Sequence, residues 1–383
     1  MNRRLGAAAA GVAFAAVTLS GGALAADLPV KAPPKLVDFN PFWAEADYLA
    51  WSVTGDKLPA LVTTSPVGTP LRFAGVLGQP TTTVLFGNSS ANNDWRSGGR
   101  ITAGYWFDPQ RSRGLEASFF GLENASTGFA ADSNMYPILA RPFTDASTGL
   151  QNSLFAGLPG FITGSVNASE TSRLWGAGAL YRQDLGAWGG SRVSALIGYR
   201  YLRSSDTLAI SNTQITAFFG TATSTDNFKG SSNFHGVDLG LTGEWRNGPW
   251  SLEWRSKVAL GANFNGADIW GSTIATVGAL TVTTTTGFLA ASSNIGHYDQ
   301  TRFAAVPELS LKAGYQIAPS WRLIAGYDLL YWTGVQRAGG VIDTSFNPTV
   351  APGPVVGPVR PLPVFNTTNL LAQGFNFGVR YNY

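Results

Sequence analysis

The sequence predicts an all-β protein: a transmembrane antiparallel up-and-down β-barrel of about ten strands, with short periplasmic turns and long extracellular loops. Three observations carry that expectation. In the closing stretch 373–383, Phe375, Phe377, Val379, Tyr381 and Tyr383 share one parity, and Gly374, Asn376, Gly378, Arg380 and Asn382 the other. A period of two assigns those sets to opposite faces of a strand, aromatics toward lipid and polar groups toward a lumen. Short and long connections alternate along the chain. The amino terminus carries an export signal, and no later apolar run reaches the ~18 residues of a spanning helix. A soluble β-sandwich shares the alternation of any one segment but has no reason to sort its connections by length.

The 383 residues include no cysteine, which excludes a disulfide framework, a thiolate metal site and a cysteine nucleophile. Only 13% of residues are charged, against about a quarter in ordinary soluble proteins. The formal charge is +3, falling to +1 once Arg3 and Arg4 leave with a signal peptide, so charge makes no case for a nucleic-acid partner. Arg3 and Arg4 head that peptide, 5–19 form its apolar run and Ala23-Leu24-Ala25 its cleavage site, making 1–25 the signal. A barrel crosses the inner membrane unfolded, which favours the general export route over the twin-arginine one. Residues 26–41 are proline-rich and aperiodic, a periplasmic linker, and 42–383 form the barrel.

Alternation begins at 42, where Phe42, Ala44, Ala46, Tyr48 and Ala50 oppose Glu45 and Asp47. Ile101, Ala103, Tyr105 and Phe107 oppose Arg100 and Thr102, and Leu115, Ala117 and Phe119 oppose Glu116 and Ser118. Segment 173–182 is ambiguous, with Trp175, Ala177, Ala179 and Tyr181 taken as outward. Val193, Ala195, Ile197, Tyr199 and Tyr201 oppose Arg192, Ser194 and Arg200; Val237, Leu239, Leu241 and Trp245 oppose Asp238, Thr242 and Glu244. Trp250, Leu252, Trp254, Val258 and Leu260 oppose Glu253, Arg255 and Lys257. Phe303, Ala305, Leu309, Leu311, Ala313 and Tyr315 oppose Arg302, Glu308, Ser310 and Lys312. Trp321, Leu323, Ala325, Tyr327, Leu329 and Tyr331 oppose Arg322 and Asp328. With the closing stretch this makes ten, each near the roughly nine to eleven residues a tilted strand needs to span.

Links of about four to seven residues lie at 108–112, 184–190, 246–249 and 316–320, and loops of about 30 to 47 at 54–97, 123–169, 204–233, 263–301 and 334–371. Asn247-Gly248 suits the centre of a two-residue hairpin, which sets Arg246 opposite Pro249, Asp238 opposite Lys257 and Leu241 opposite Trp254. Pro307 falls mid-strand, where a bulge or break is expected. Segments 205–215 and 268–282 also look strand-like, leaving room for strands that extend further, for loop hairpins, or for twelve strands. The proline-rich 348–363 reads as an extended loop.

Aromatics are expected at the two water–lipid boundaries: Phe107, Trp245, Trp250, Tyr315, Trp321 and Tyr383 at the turn rim, and Trp51, Tyr201, Tyr331 and Trp332 at the loop rim. The inward faces bring together Glu45, Asp47, Glu116, Asp238, Glu253, Glu308 and Asp328 with Arg100, Arg200, Arg255, Lys257, Lys312, Arg322 and Arg380. Near-equal signs in a narrow lumen point to paired charges filling it; a small-solute passage is the second reading. His235 and His297, the latter in Gly296-His297-Tyr298-Asp299, admit a third, a hydrolase at the loop rim. No metal-ligand spacing, phosphate loop or dinucleotide motif occurs, so no cofactor is expected.

Blocks along the chain resemble the putative beta barrel porin-7 family of bacterial outer-membrane proteins. They include Trp43-Ala44-Glu45-Ala46-Asp47-Tyr48-Leu49, Gly75-Val76-Leu77-Gly78-Gln79-Pro80, Ser172-Arg173-Leu174-Trp175-Gly176-Ala177, Phe303-Ala304-Ala305-Val306-Pro307-Glu308 and Leu329-Leu330-Tyr331-Trp332. The resemblance runs over roughly 42–383. It implies an outer-membrane barrel in a Gram-negative-type envelope and supplies neither a substrate nor catalytic residues. The partners to expect are outer-membrane lipid, lipopolysaccharide at the loop rim, and the barrel-assembly machinery reading Phe375, Phe377, Val379, Tyr381 and Tyr383 as an insertion signal.

Overall fold

The computed structural model describes residues 39–350 and 356–382, so the signal peptide, the linker up to 38 and Tyr383 lie outside the described residues. The main sheet has twelve strands. Ten of them close into a ring: β1 (Phe42–Val53), β2 (Trp95–Trp106), β3 (Arg113–Leu122), β4 (Thr163–Trp188), β5 (Ser191–Thr216), β6 (Gly220–Asn247), β7 (Trp250–Val277), β8 (Gly296–Ala318), β9 (Trp321–Gln336) and β10 (Thr367–Asn382). Each pairs antiparallel with its neighbours in the chain. The ring closes where Trp43 of β1 meets Gly104 of β2 on one side and Asn382 of β10 on the other. Of the other two, Ala125–Asp132 carries the line of β3 further along β4, and Leu280–Thr284 folds back on β7.

Side-chain alternation sorts the two faces. Leu252, Leu311 and Phe377 are 41%, 52% and 53% exposed on the outer wall, while Glu45, Asp47 and Lys257 are buried inside. Tight turns hold one rim. Gly189 and Gly190, with φ of 59° and 79°, form a two-residue hairpin between Trp188 and Ser191, a backbone that side-chained residues resist.

At the next turn the register differs from the sequence expectation. Asn247 pairs with Trp250, so Gly248-Pro249 is the two-residue loop and Gly240, rather than Asp238, faces Lys257. Gly248 takes the positive φ of 57°, and Pro249, which has no N–H for the ladder, is spared a pairing position. The slip is by two residues, so each side chain keeps its face. At Pro307 the ladder to β7 runs on unbroken, whereas pairing to β9 begins only at Glu308.

The larger correction concerns the far rim. β4 to β7 run 26, 26, 28 and 28 residues, well past a single span. The expected loop 204–233 is mostly the continuation of β5 and β6, which turn at Thr216 and Gly220. Loops 54–97, 123–169 and 334–371 are not structureless either. They contribute a five-stranded sheet of Val62–Thr64, Thr83–Phe86, Leu139–Asp145, Gln151–Gly157 and Ser345–Phe346. Its Leu61, Val62 and Leu139 share one apolar core with Leu208, Ile210, Phe228 and Ile269 from the inner faces of β5 to β7. The loops therefore fold inward as a cap. The described parts of 348–363 join them, with Asn347 holding the carbonyls of Val356 and Pro358 and Asp343 holding Arg360.

Candidate functional site

The interior is built in storeys, because each strand reads charged, then apolar, then polar from the turn rim upward. On β1 the inward order is Glu45, Asp47, Leu49, Trp51, Val53. On β9, running upward, it is Arg322, Ile324, Asp328, Leu330, Trp332.

The lowest storey is an ion-pair lattice. Arg100 binds Asp47 at 2.8 Å and Asp328 at 3.0 Å. Lys312 bridges Asp47 (3.0 Å) and Glu45. Arg380 links Glu45 (2.5 Å) to Glu253 (2.9 Å), and Arg255 joins Glu253 (3.4 Å) to Glu116. A second island ties Lys257 to Asp238 (3.0 Å) and Glu308 (3.5 Å), with Arg200 on the same two carboxylates. Arg322 stands apart nearer the rim, on Glu244 at 2.8 Å. Buried charges survive only when paired this closely, since desolvation of each ion costs several kcal/mol. The free space among them is about 40 Å³.

Above the lattice lies an apolar collar. Leu49, Trp51, Phe120, Leu174, Leu202, Phe234, Leu330, Trp332 and Leu370 form one buried cluster drawn from strands all around the ring. Trp51 packs on Phe120 with centroids 5.4 Å apart, and Trp332 on Phe234 at 6.3 Å. These two tryptophans correct the expected girdle: both point inward, and Trp332 Nε1 donates to Asn263 at 2.8 Å. The reason is parity, because Trp51 shares its face with Asp47 and Trp332 with Asp328. The remaining girdle residues Phe107, Trp245, Trp250, Tyr315 and Trp321 are exposed on the outer wall at the turn rim, with Tyr201 and Tyr331 half-buried further up. Phe375, Phe377 and Val379 are exposed on the same wall, and Tyr381 packs on Trp321 at 4.8 Å.

The third storey was not foreseen. Arg337 pairs with Asp206 and donates to the Thr54 carbonyl at 3.0 Å, while Asp56 accepts from Gly339 N at 2.7 Å. Glu170 accepts from Asn92, and Arg96 reaches Ser172 at 3.1 Å. Arg141 pairs with Asp226 at 2.6 Å within the cap core. Burial pushes the Glu170 carboxyl up to about 8 and that of Asp56 up to about 6. The signal was present in the sequence: Asp206 and Glu170 keep the inward parity of Leu202 and Leu174, but Asp206 sits in the expected loop 204–233 and Glu170 between the expected loop 123–169 and the segment 173–182.

At the turn rim the lattice opens into a cavity of about 380 Å³ lined by Arg111, Arg182, Arg192, Arg246, Arg255 and Arg380 against Glu244 and Glu253. Arg182 stacks over Trp106 at 5.1 Å. At the opposite end His297 is exposed, its Nδ1 on Asp268 (2.5 Å) and its Nε2 on Asp299 (3.0 Å). The Asp268 hydrogen bond raises the imidazole pKa, and both ring nitrogens are occupied, an anchor rather than a free base. His235 lies on the outer wall, its Nδ1 2.6 Å from the Tyr199 hydroxyl.

The sequence model of the family described as "Putative beta barrel porin-7" matches residues 43–383. The chain belongs to that family. No curated protein matches the chain. Among solved structures, this family member is similar to a Pseudomonas aeruginosa FadL homologue at 9% identity, covering 89% of this chain and 90% of that one with a TM-score of 0.21. The P. putida toluene transporter TodX follows at 8% identity, with 89% of each chain covered and a TM-score of 0.19. Outer-membrane expressed OmpT of Vibrio cholerae stands at 11%, 89% and 97% coverage, and a TM-score of 0.15. Likeness at that level carries no argument, and the ring rests on its own strand pairing. For this porin-7 family member, the interior is an ion-pair lattice beneath an apolar collar.

Proposed function

We propose that the protein is a non-enzymatic β-barrel of the bacterial outer membrane whose lumen is closed, and whose role is to present its cap and long hairpins outward. The observation that carries this is the apolar collar seated on the ion-pair lattice. A hydrated solute rising from the turn rim meets gaps of about 40 Å³ and then a layer of interlocked side chains. Ions do not cross an apolar layer that holds no water, because nothing there replaces their hydration.

The membrane part of the reading is supported by the outer wall. From Trp245 to His235 on β6 is eleven residues, the length of one tilted span, and the outward side chains between them, Leu241, Leu239 and Val237, are exposed and apolar. Export by a leader at 1–25, a linker at 26–41, and partnership with the assembly machinery and lipopolysaccharide belong to the same proposal. A small-solute passage is the second reading, favoured by the arginine-lined cavity of about 380 Å³ at the turn rim. Reconstitution into planar bilayers separates the two: the sealed barrel gives no discrete current steps, and reproducible open steps from the wild-type chain overturn it.

A further inference from the structure

Five rings stand side by side across the outer wall from β3 to β7: Phe119 and Trp175 at 5.9 Å, Trp175 and Tyr201 at 5.1 Å, Tyr201 and His235 at 4.9 Å, His235 and Phe264 at 5.5 Å. Below the row the outward residues are apolar apart from Ser256. Above it on β4 to β6 they become Arg173, Arg203, Ser205, Thr207 and Lys229, while β7 still shows Trp270 and Ile274. Such a row is where amphipathic rings settle at a water–lipid boundary.

Immediately above the row, these five residues and Trp175 line a cavity of about 390 Å³. Strand register builds it: Arg173 lies opposite Ser205, Trp175 opposite Arg203, and Thr207 opposite Lys229. Among the described residues Arg203 bonds the neutral Asn233 at 3.2 Å, and Lys229 pairs with Asp268 at 2.9 Å. Asp268 is thus the one acid shown to offset the three cations. The volume falls within the range of roughly 300 to 1,000 Å³ common to ligand clefts.

We propose that this cavity takes the phosphorylated sugar headgroup of an outer-leaflet glycolipid of the lipopolysaccharide type. Arg173 and Arg203 grip a phosphate through paired N–H donors, the Ser205 and Thr207 hydroxyls complete its hydrogen bonds, and Trp175 offers a ring to the sugar face. Lys229, on the far side, adds charge without geometry. The site rests on the outer-membrane reading above, and the row of rings supplies what that reading lacks, a height for the headgroups on the wall.

The test uses the full chain folded in detergent and titrated with bisphosphorylated lipid A, dephosphorylated lipid A and inorganic phosphate, with bound lipid counted by native mass spectrometry. One lipid A is expected per chain, with the dephosphorylated form at least about tenfold weaker. Each cation near an anionic lipid surface contributes about fivefold, so Arg173→Gln with Arg203→Gln and Lys229→Gln weakens binding roughly a hundredfold. Arg173→Lys with Arg203→Lys keeps the charge and loses about tenfold through the missing paired donors. Heat-modifiable migration on gels verifies that each variant is folded. Equal binding by the triple variant, or by dephosphorylated lipid A, overturns the site. Displacement of the lipid by inorganic phosphate at equal concentration makes it a free-phosphate site and overturns the glycolipid assignment. Failure of the wild-type chain to float with phospholipid vesicles is a separate result and overturns the membrane reading itself.

Discussion

The lower and upper halves of the same strands are turned inside out with respect to each other. Below the collar β5 shows Ile197 and Tyr199 outward and Arg200 inward; above it the strand shows Arg203, Ser205 and Thr207 outward and Leu208 and Ile210 inward. β6 makes the same exchange between Val237 with Asp238 and Lys229 with Phe228. Backbone and period do not change at the crossing; only the solvent assigned to each face does. The lower half is apolar outside and ionic inside, the arrangement the proposed membrane setting requires. The upper half is built as a soluble protein is, water outside and an apolar core within.

If that inversion is real, damage in the two halves should differ in kind. The largest effect is expected from Glu45→Gln, which leaves Lys312 and Arg380 buried beside a neutral amide. Breaking a buried pair costs about 3–5 kcal/mol, and here two pairs are lost although Lys312 keeps Asp47 and Arg380 keeps Glu253, so urea unfolding in lipid should shift strongly. An unchanged midpoint would mean that water reaches the lattice. Leu208→Ala should cost about 2–5 kcal/mol as an ordinary core cavity. Its loss should appear as faster hydrogen exchange in the cap segments 139–145 and 151–157, with the ring below unaffected. Exchange rising equally in both halves would refute their independence.

The cap should also respond to alkali. Glu170 is held neutral in the folded cap up to about 8, whereas in the open cap it ionises near the ordinary 4.5. The folded form therefore keeps a proton that the open form has lost. Its contribution is complete below about 4.5 and disappears as pH climbs through 8. Asp56, raised to about 6, loses its own share earlier. Hydrogen exchange of 163–172, corrected for intrinsic rates, should be faster at pH 9 than at pH 6, and Glu170→Gln should flatten the difference. A slope untouched by that variant would place the titration elsewhere. The smallest effect is expected at the turn rim, where Gly248→Ala forces a side-chained residue to φ of 57°. The cost is about 1–2 kcal/mol, visible as a lower refolding yield, and no cost would mean that residue 248 is not held in the left-handed region.

Legibility in the sequence follows the same division. Where lipid faces one side, a chain can use only strongly apolar residues there, so 193–201 and 250–260 declare themselves. Where water faces outside, Ser, Thr and Asn suffice, and inside Leu208, Ile210 and Phe228 are interrupted by Ser204, Asp206, Asn212 and Ser232, so the contrast is faint and 204–233 read as a loop. The lattice residues were accessible because parity alone locates them. The collar was harder: Trp51 and Trp332 sit at strand ends, and rank by position competed with parity. The third storey depends on contacts between loops distant in sequence, such as Arg337 with Asp206, which no local pattern encodes.

The lattice also joins the two ends of the chain. Glu45 is among the first residues of the ring, yet its charge is neutralised by Lys312 and Arg380, the latter near the last. Its partners come only with the eighth and tenth strands, and until the tenth arrives the first strand has an open edge. Long-range closure of this kind is slow. A prematurely terminated copy would therefore keep an unpaired edge on its first strand, the mark of a ring left open.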